Sequence, residues 1–119
     1  MATTPVNRLN HISERIELIK QLLDGVGFDQ AYRDPTRWAA FERHLEVISE
    51  AAKNIPPDWK SEHVGSVDWQ KVVGLGNILR HIYHHVSAPI LWDIYLVDLD
   101  PLSVPVRALL AAHDDMDDA

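Results

Sequence analysis

The chain has 119 residues, a length typical of a single domain. Hydrophobic residues make up 46% and charged residues 24%, a composition that supports a packed core and excludes wholesale disorder. The absence of cysteine excludes disulfides, thiolate metal sites and thiol nucleophiles. The formal net charge of −7 argues against a general nucleic-acid-binding protein, because such proteins neutralise phosphates with an excess of basic residues.

The acidic charge is concentrated at the carboxyl end. Asp114, Asp115, Asp117 and Asp118 fall in the last six residues, and without them the net charge is only −3. We expect one domain over residues 1–119, with a core from about 7 to 112 and a disordered acidic tail over 113–119. No apolar run approaches 18 residues and the first ten residues lack an apolar centre, so we expect no membrane segment, no signal peptide and a cytoplasmic location.

Two helices are predicted in the first half of the chain, over residues 7–24 and 36–54. Their apolar residues recur at steps of three and four, which marks one buried stripe on each helix. The stripes consist of Leu9, Ile12, Ile16, Ile19 and Leu23, and of Trp38, Phe41, Leu45, Ile48 and Ala52. We expect Asn7 to cap the first helix, Gly25 and Gly27 to end it, and Asp34 with Pro35 to begin the second.

Beside the second stripe, Arg43, Glu46 and Glu50 recur at helical spacing. Such residues typically form weak ion pairs on a solvated face, so the spacing alone assigns them no function. The prolines at 56 and 57 end this helix, because proline disfavours the α conformation of the residue before it. Residues 28–35 and 58–68 are predicted connections, the second with Ser66 or Asp68 as a cap for the next helix.

The segment WQKVVGLGNILRHIYHHV, residues 69–86, predicts a third helix with two chemically different faces. Five apolar residues fall within an arc of roughly 100°: Leu75, Ile78, Leu79, Ile82 and Val86. Five polar residues fall across an opposite arc of roughly 140°, with Tyr83 at the border: Asn77, Arg80, His81, His84 and His85. Gly74 and Gly76 weaken the helix by about 1 kcal/mol each. Such glycines often permit close approach by another backbone or a ligand, and the alternative is a tolerated weakness of the helix.

Prolines mark the predicted boundaries of the remaining helices. We expect the third helix to end at Ser87-Ala88-Pro89, a fourth to cover about 89–98, and Asp100-Pro101 to end it. A short last helix should run from about 103 to Ala112. No segment alternates with period two for long enough to predict a strand. The predicted fold is therefore all-α, an up-and-down bundle of four main helices with a short fifth.

The histidines at the end of the third helix allow two kinds of chemistry. His81 and His85 are one turn apart and could share a metal, either with His84 or with a third ligand from another helix such as His44 or Glu46. Alternatively, imidazoles with a pKa of about 6.5 could transfer protons while Arg80 stabilises a phosphorane-like transition state. RNA cleavage requires only such a base and cation. With no cysteine and no clear third ligand, we expect no metal and no other cofactor.

Three segments of the chain carry a family pattern: RHLEVISEAAKNIPPDW (43–59), VDWQKVVGLGNILRHIYHHV (67–86) and ILWDIYLVDLDPL (90–102). In order and spacing they resemble the HepT-like group of the HEPN superfamily, small all-α proteins of bacteria and archaea, over about residues 8–110. The resemblance implies a homodimer whose facing histidine helices build a shared cleft, and a metal-independent endoribonuclease that acts as a toxin. It also implies a small nucleotidyltransferase antitoxin, which in some systems adenylylates the tyrosine of a His-x-Tyr pair.

Carried over residue by residue, the resemblance assigns Asn77 to the polar motif position, His81 to the catalytic histidine and Tyr83 to the modifiable tyrosine. Gly76 stands where the motif has its arginine. A second register of the superfamily pattern begins one helical turn later, at Arg80, and ends at His85. The resemblance thus implies an active site of Arg80, His81 and His85 with Asn77, and Tyr83 as a modification site.

The expected function is that of a HepT-like toxin: a homodimeric endoribonuclease with an RNA substrate and a nucleotidyltransferase antitoxin as partner. The alternative is a catalytically inactive family member that serves as a partner or nucleotide-binding subunit of a nucleotidyltransferase. Gly76 at the motif position and the net charge of −7 favour this alternative.

Overall fold

A computed structural model describes residues 4–62, 68–81 and 84–117, without the side chains of residues 81, 84–87 and 114–117. Within these ranges the chain forms seven helices and no strand, which confirms the all-α prediction. The helices are α1 Pro5–Leu23, α2 Phe28–Tyr32, α3 Pro35–Lys53, α4 Pro57–Ser61, α5 Trp69–His81, α6 His84–Val97 and α7 Leu99–Asp117. Among the described residues, none of these helices is both long and apolar enough to cross a membrane.

The core forms where α1 packs against α3 and α7, and where α3 packs against α5. Every residue of the two predicted apolar stripes on α1 and α3 is buried, as predicted. Ile12 and Phe41, for example, expose none of their surface. Burial of such side chains stabilises a fold by about 1.5–3 kcal/mol each, so these stripes account for the way the long helices associate.

Side-chain caps fix where the helices begin. The first helix starts earlier than predicted, because the Thr4 hydroxyl, and not Asn7, caps it by accepting the Asn7 backbone N–H at 3.1 Å. Asp34 caps α3 as predicted, since its carboxylate accepts the Arg37 backbone N–H at 3.2 Å. Gly25, with a φ of 70°, adopts the left-handed conformation that follows the end of α1.

The two predicted connections contain the one-turn helices α2 and α4. Helix α2 forms because its two aromatic rings, Phe28 and Tyr32, stack at 5.7 Å and also pack against larger aromatic residues of the core. Phe28 lies 6.0 Å from the ring of Trp38 and 5.7 Å from that of Trp92. Of the two predicted caps for the next helix, Asp68 accepts a backbone N–H of the first turn of α5 at 3.1 Å; Ser66 lies outside the described residues.

The prediction of a single helix over 69–86 is wrong. Because α6 covers His84–Val97, a helix over 69–86 would join α5 and α6 into one continuous helix, and the two do not lie along one axis. Lys71 near the start of α5 forms an ion pair of 2.8 Å with Asp98, just beyond the end of α6. In one continuous helix these residues would be roughly 40 Å apart. Helix α6 also continues through Pro89, where a helix end was predicted.

Of the predicted apolar stripe, Leu75 is buried. Ile78 and Leu79 pack against the core. Ile82 and Val86 have no described side chain.

The last helix is long, which corrects the prediction of a short fifth helix followed by a disordered tail. Helix α7 has 19 residues and continues to Asp117. Pro101 lies in its first turn, where backbone N–H groups have no acceptor within the helix, so the missing N–H does not interrupt it. His113, predicted to begin the tail, instead stacks on Trp59 at 3.7 Å and lies 2.9 Å from the Glu62 carboxylate.

Candidate functional site

Helix α5 presents two of the predicted site residues to solvent. Val72 and Leu75 are buried on its inner side, and this packing leaves Asn77 and Arg80 exposed. The Arg80 side chain folds back over the preceding turn. A Cβ atom added at Gly76 would lie 3.0 Å from Nη1 and 3.5 Å from Nη2 of Arg80. The guanidinium of Arg80 therefore lies where a side chain of residue 76 would begin.

Gly76 also allows α5 to approach α3 closely, as its position inside a helix predicted. Ser49, which is 3% exposed, donates its hydroxyl hydrogen to the Val73 carbonyl at 2.7 Å and accepts the Gly76 backbone N–H at 2.9 Å. A Cβ atom at residue 76 would lie only 3.1 Å from the Ser49 hydroxyl oxygen. Gly74 has no neighbour within 4 Å of an added Cβ, so the close approach is specific to Gly76.

A polar cleft of about 240 Å³ opens between α1, α3 and α5, and Arg80 lines it. The other lining residues are Arg8, His11, Arg43, Glu46, Val47, Glu50 and Ala51. Three arginines and a histidine thus converge with two glutamates, in a chain whose net charge is −7. Three arginines against two glutamates give the lining a formal charge of +1 with His11 neutral.

The charges in the cleft are unevenly paired. Arg43 forms an exposed ion pair with Glu46, with Nη1 and Oε1 2.6 Å apart. The side chains of Arg8, His11 and Arg80 form no ion pair or hydrogen bond with any residue that the structure describes. As far as the described side chains go, these three donor groups are available to an anionic ligand such as a phosphate.

The predicted site residues are only partly described. Arg80 lines the cleft, whereas Asn77 is exposed on α5 and is not among the lining residues. The backbone of His81 ends α5, but its side chain and that of His85 are not described, and Tyr83 lies outside the described residues altogether. The placement of the two imidazoles beside Arg80 therefore stays a prediction.

Sequence reasoning missed three residues of the cleft: Arg8, His11 and Arg43. Arg8 and His11 are three positions apart, so they share one face of α1. This spacing was the sequence signal that could have indicated a shared site. Arg43 was correctly expected on a solvated face with an ion pair, but its place beside Arg80 depends on the packing of α3 against α5. The three helices join residues that are far apart in sequence.

The residues considered as a third metal ligand are engaged elsewhere. His44 lies 3.2 Å from Arg15 on α1, and its pKa is lowered by burial and by the nearby Arg15 charge. Glu46 is the ion-pair partner of Arg43. Among the residues with described side chains, no group of three His, Asp or Glu residues could hold a metal ion; His84 and the other two clustered histidines fall outside that set.

Comparison with known proteins places the chain among ribonuclease-related sequences. A protein of Caldanaerobacter subterraneus subsp. tengcongensis, named provisionally as an RNase, is 33% identical over 107 residues, which cover 90% of this chain and 95% of the relative. A Thermococcus cleftensis protein, named provisionally as ribonuclease HepT, is 34% identical over 94 residues, 79% of this chain and 84% of the relative. A Methanocaldococcus jannaschii protein, also named provisionally as an RNase, is 33% identical over 88 residues, 74% and 72% of the two chains.

No solved structure matches the chain significantly. The family described as "Ribonuclease HepT-like" matches residues 12–109, which include α3, α5 and α6 and most of α1. This match spans more than half of the chain, and the relatives align over most of their own length. The resemblance inferred from the motifs is thereby confirmed: the chain belongs to the HepT-like ribonuclease family.

Proposed function

We propose that this protein is a metal-independent endoribonuclease in which Arg80 supplies the cation and His81 and His85 transfer protons. The observation that carries the proposal is the Arg80 guanidinium, which lies over Gly76, at the base of the side chain that the family motif would place there. A guanidinium displaced by one turn can thus return toward the motif position. Family membership and the names of the relatives supply the substrate class, RNA.

The chemistry needs no group beyond these side chains. One imidazole takes the proton of the ribose 2′-OH as its oxygen bonds to phosphorus, and the other, protonated, gives a proton to the departing 5′-oxygen. Negative charge develops on the phosphate oxygens in the transition state, where a fixed guanidinium stabilises it. The products are a cyclic phosphate and a free 5′-hydroxyl.

The proposal extends to the cellular context that the family resemblance implies. The active form would be a homodimer of one-domain subunits in the cytoplasm, with facing histidine segments around a shared cleft. Its partner would be a small nucleotidyltransferase antitoxin that can adenylylate Tyr83. Sedimentation of the purified protein tests the dimer, and a chain that stays monomeric at assay concentrations would contradict it.

Cleavage of RNA in EDTA tests the activity. We expect wild-type protein to cut, and His81→Ala and His85→Ala each to slow cleavage by about 10²–10⁴-fold, the usual effect of removing an acid–base group. His113→Ala is the matched control, because His113 lies on α7 against α4 and does not line the cleft. Loss of wild-type activity in EDTA, or histidine variants as active as the control, would contradict the proposal.

The inactive partner subunit is the second candidate, favoured by the glycine at the motif position. The double variant Gly76→Arg/Arg80→Gln distinguishes the active nuclease from the inactive partner subunit, because it moves the guanidinium back to the motif position. Gly76→Ala serves as control for the contact with Ser49, which any side chain at 76 would meet. Wild-type protein without activity, together with an active double variant, would contradict the nuclease and favour the inactive family member.

A further inference from the structure

We propose that Arg8 and His11 of α1, with Arg43 of α3, form a phosphate-binding subsite that holds the RNA backbone beside Arg80. The inference rests on the proposed function, because it names how the same cleft binds its substrate. It adds residues from two helices outside the histidine segment, none of which belongs to the motif on α5.

The placement of these side chains favours a phosphate. Arg8 is half-buried and His11 is exposed, and both face the cleft from the same side of α1. An arginine fork matches the oxygens of a phosphate bidentately, and an imidazole N–H adds a further donor. The cleft volume of about 240 Å³ corresponds to about eight water molecules at ~30 Å³ each, enough for a phosphate group with part of its ribose.

Donors without an ion-pair partner among the described residues favour an anion over a cation. Within the described residues, Arg8, His11 and Arg80 have no ion-pair partner, so a phosphate would meet groups that are not already neutralised. Val47 and Ala51 provide an apolar part of the wall, which can contact a ribose. The lining thus carries a formal charge of +1, with three arginines, two glutamates and His11 neutral, whereas the whole chain carries −7.

The Glu46 carboxylate would compete with a phosphate for Arg43. Glu46 holds Arg43 at 2.6 Å in an ion pair that is largely exposed, with 64% and 50% of the two side chains accessible. Exposed pairs of this kind are weak, so Arg43 can exchange the carboxylate for a phosphate. Removing the Glu46 charge should therefore tighten binding, whereas removing an arginine should weaken it.

Binding of a short fluorescein-labelled single-stranded RNA, followed by anisotropy over a range of NaCl concentrations in EDTA, tests the subsite. A His81→Ala/His85→Ala background prevents cleavage, so binding is measured apart from catalysis. We expect Arg8→Gln and Arg43→Gln each to raise Kd about tenfold, as for loss of a hydrogen bond to a charged group. Each should also reduce the slope of log Kd against log salt by about 0.7, the value for one phosphate contact on a single strand.

Two further variants make the test directional. Glu46→Gln should lower Kd, an effect that mere damage to the fold would not produce. Arg33→Gln is the matched control: Arg33 is exposed at the end of α2 and does not line the cleft, so its removal should leave Kd and slope unchanged. Circular dichroism of each variant checks that it is folded.

The outcomes separate this inference from the proposed function. If wild-type protein cuts RNA but Arg8→Gln and Arg43→Gln bind like Arg33→Gln, the subsite is overturned and the nuclease stands. If wild-type protein does not cut but the arginine variants lose affinity and salt slope, the subsite stands and the nuclease falls. A higher Kd with an unchanged slope, or no RNA binding by the background protein, would overturn the subsite.

Discussion

The two faces of α3 differ in almost every physical respect. One face carries large apolar side chains that are fully or nearly fully buried against α1, α6 and the aromatic residues of α2. The other carries Arg43, Glu46 and Glu50 along the open cleft. The first face stabilises the fold through area removed from water, and the second contributes little to stability because its charges stay hydrated. Substitutions on the two faces should therefore separate stability from ligand binding.

Phe41→Ala should cause the largest loss of stability. The Phe41 ring is fully buried and packs against Trp38 at 5.0 Å and Trp92 at 6.2 Å, so its removal leaves a cavity among rings that cannot readily close it. We expect the free energy of unfolding to fall by about 3–5 kcal/mol in urea titrations. A loss below about 1 kcal/mol would show that the aromatic cluster contributes little to the core.

Ser49→Ala tests the hydrogen bonds that hold α5 against α3. It removes two hydrogen bonds to the α5 backbone, at Val73 and Gly76, and should lower the free energy of unfolding by about 1–2 kcal/mol. Ser103→Ala is the matched control, since that exposed hydroxyl donates only to the carbonyl of Asp100 in its own helix. Equal effects of the two substitutions would contradict the role of Ser49 in holding α5 against α3.

The pH dependence of stability should report His44, which lies between α3 and α1. Burial and Arg15 lower its pKa in the folded protein, so below about pH 6.5 the unfolded chain binds this proton more readily than the folded chain does. The His44 contribution to stability should therefore decrease as pH falls below about 6.5. His44→Gln should flatten this part of the profile in urea titrations; an unchanged profile would contradict the assignment.

Arg43→Gln should have the smallest effect on stability. Its ion pair with Glu46 is exposed, so the free energy of unfolding should change by less than about 0.5 kcal/mol. The same substitution is expected to weaken RNA binding about tenfold, which is the contrast between the two faces in one residue. A loss of stability above about 1 kcal/mol would mean that the cleft face also supports the fold.

The helical spacing of apolar residues predicted the buried stripes, and the Asp34-Pro35 pair predicted the cap of α3, because each signal lies within one helix and its flanking residues. Pro89 predicted a helix end that the structure lacks, whereas the end predicted for the helix before Pro101 is nearly right, since α6 ends at Val97 and α7 begins at Leu99. Pro101 sits in a first turn that needs no donor, and α6 accommodates Pro89 in its interior. The family resemblance predicted the site residues on α5, which residue spacing alone did not predict.

The cleft could not be predicted from sequence, because its residues come from three helices. Arg8 and Arg80 are separated by most of the chain, and only the packing of α1, α3 and α5 brings both to one cleft. The structural role of Gly76 could not be predicted from sequence either. In sequence it is the loss of a motif arginine, whereas in the structure it is the space that Ser49 and the Arg80 guanidinium share.

The central claim is that Arg80 supplies the cation for RNA cleavage. The most direct measurement is kcat/KM for RNA cleavage in EDTA by Arg80→Gln, set against wild type and the exposed control Arg33→Gln. We predict a decrease of about 10²–10³-fold for Arg80→Gln, as for removal of a group that stabilises transition-state charge, and no change for the control. Equal kcat/KM values for Arg80→Gln and Arg33→Gln would contradict the account.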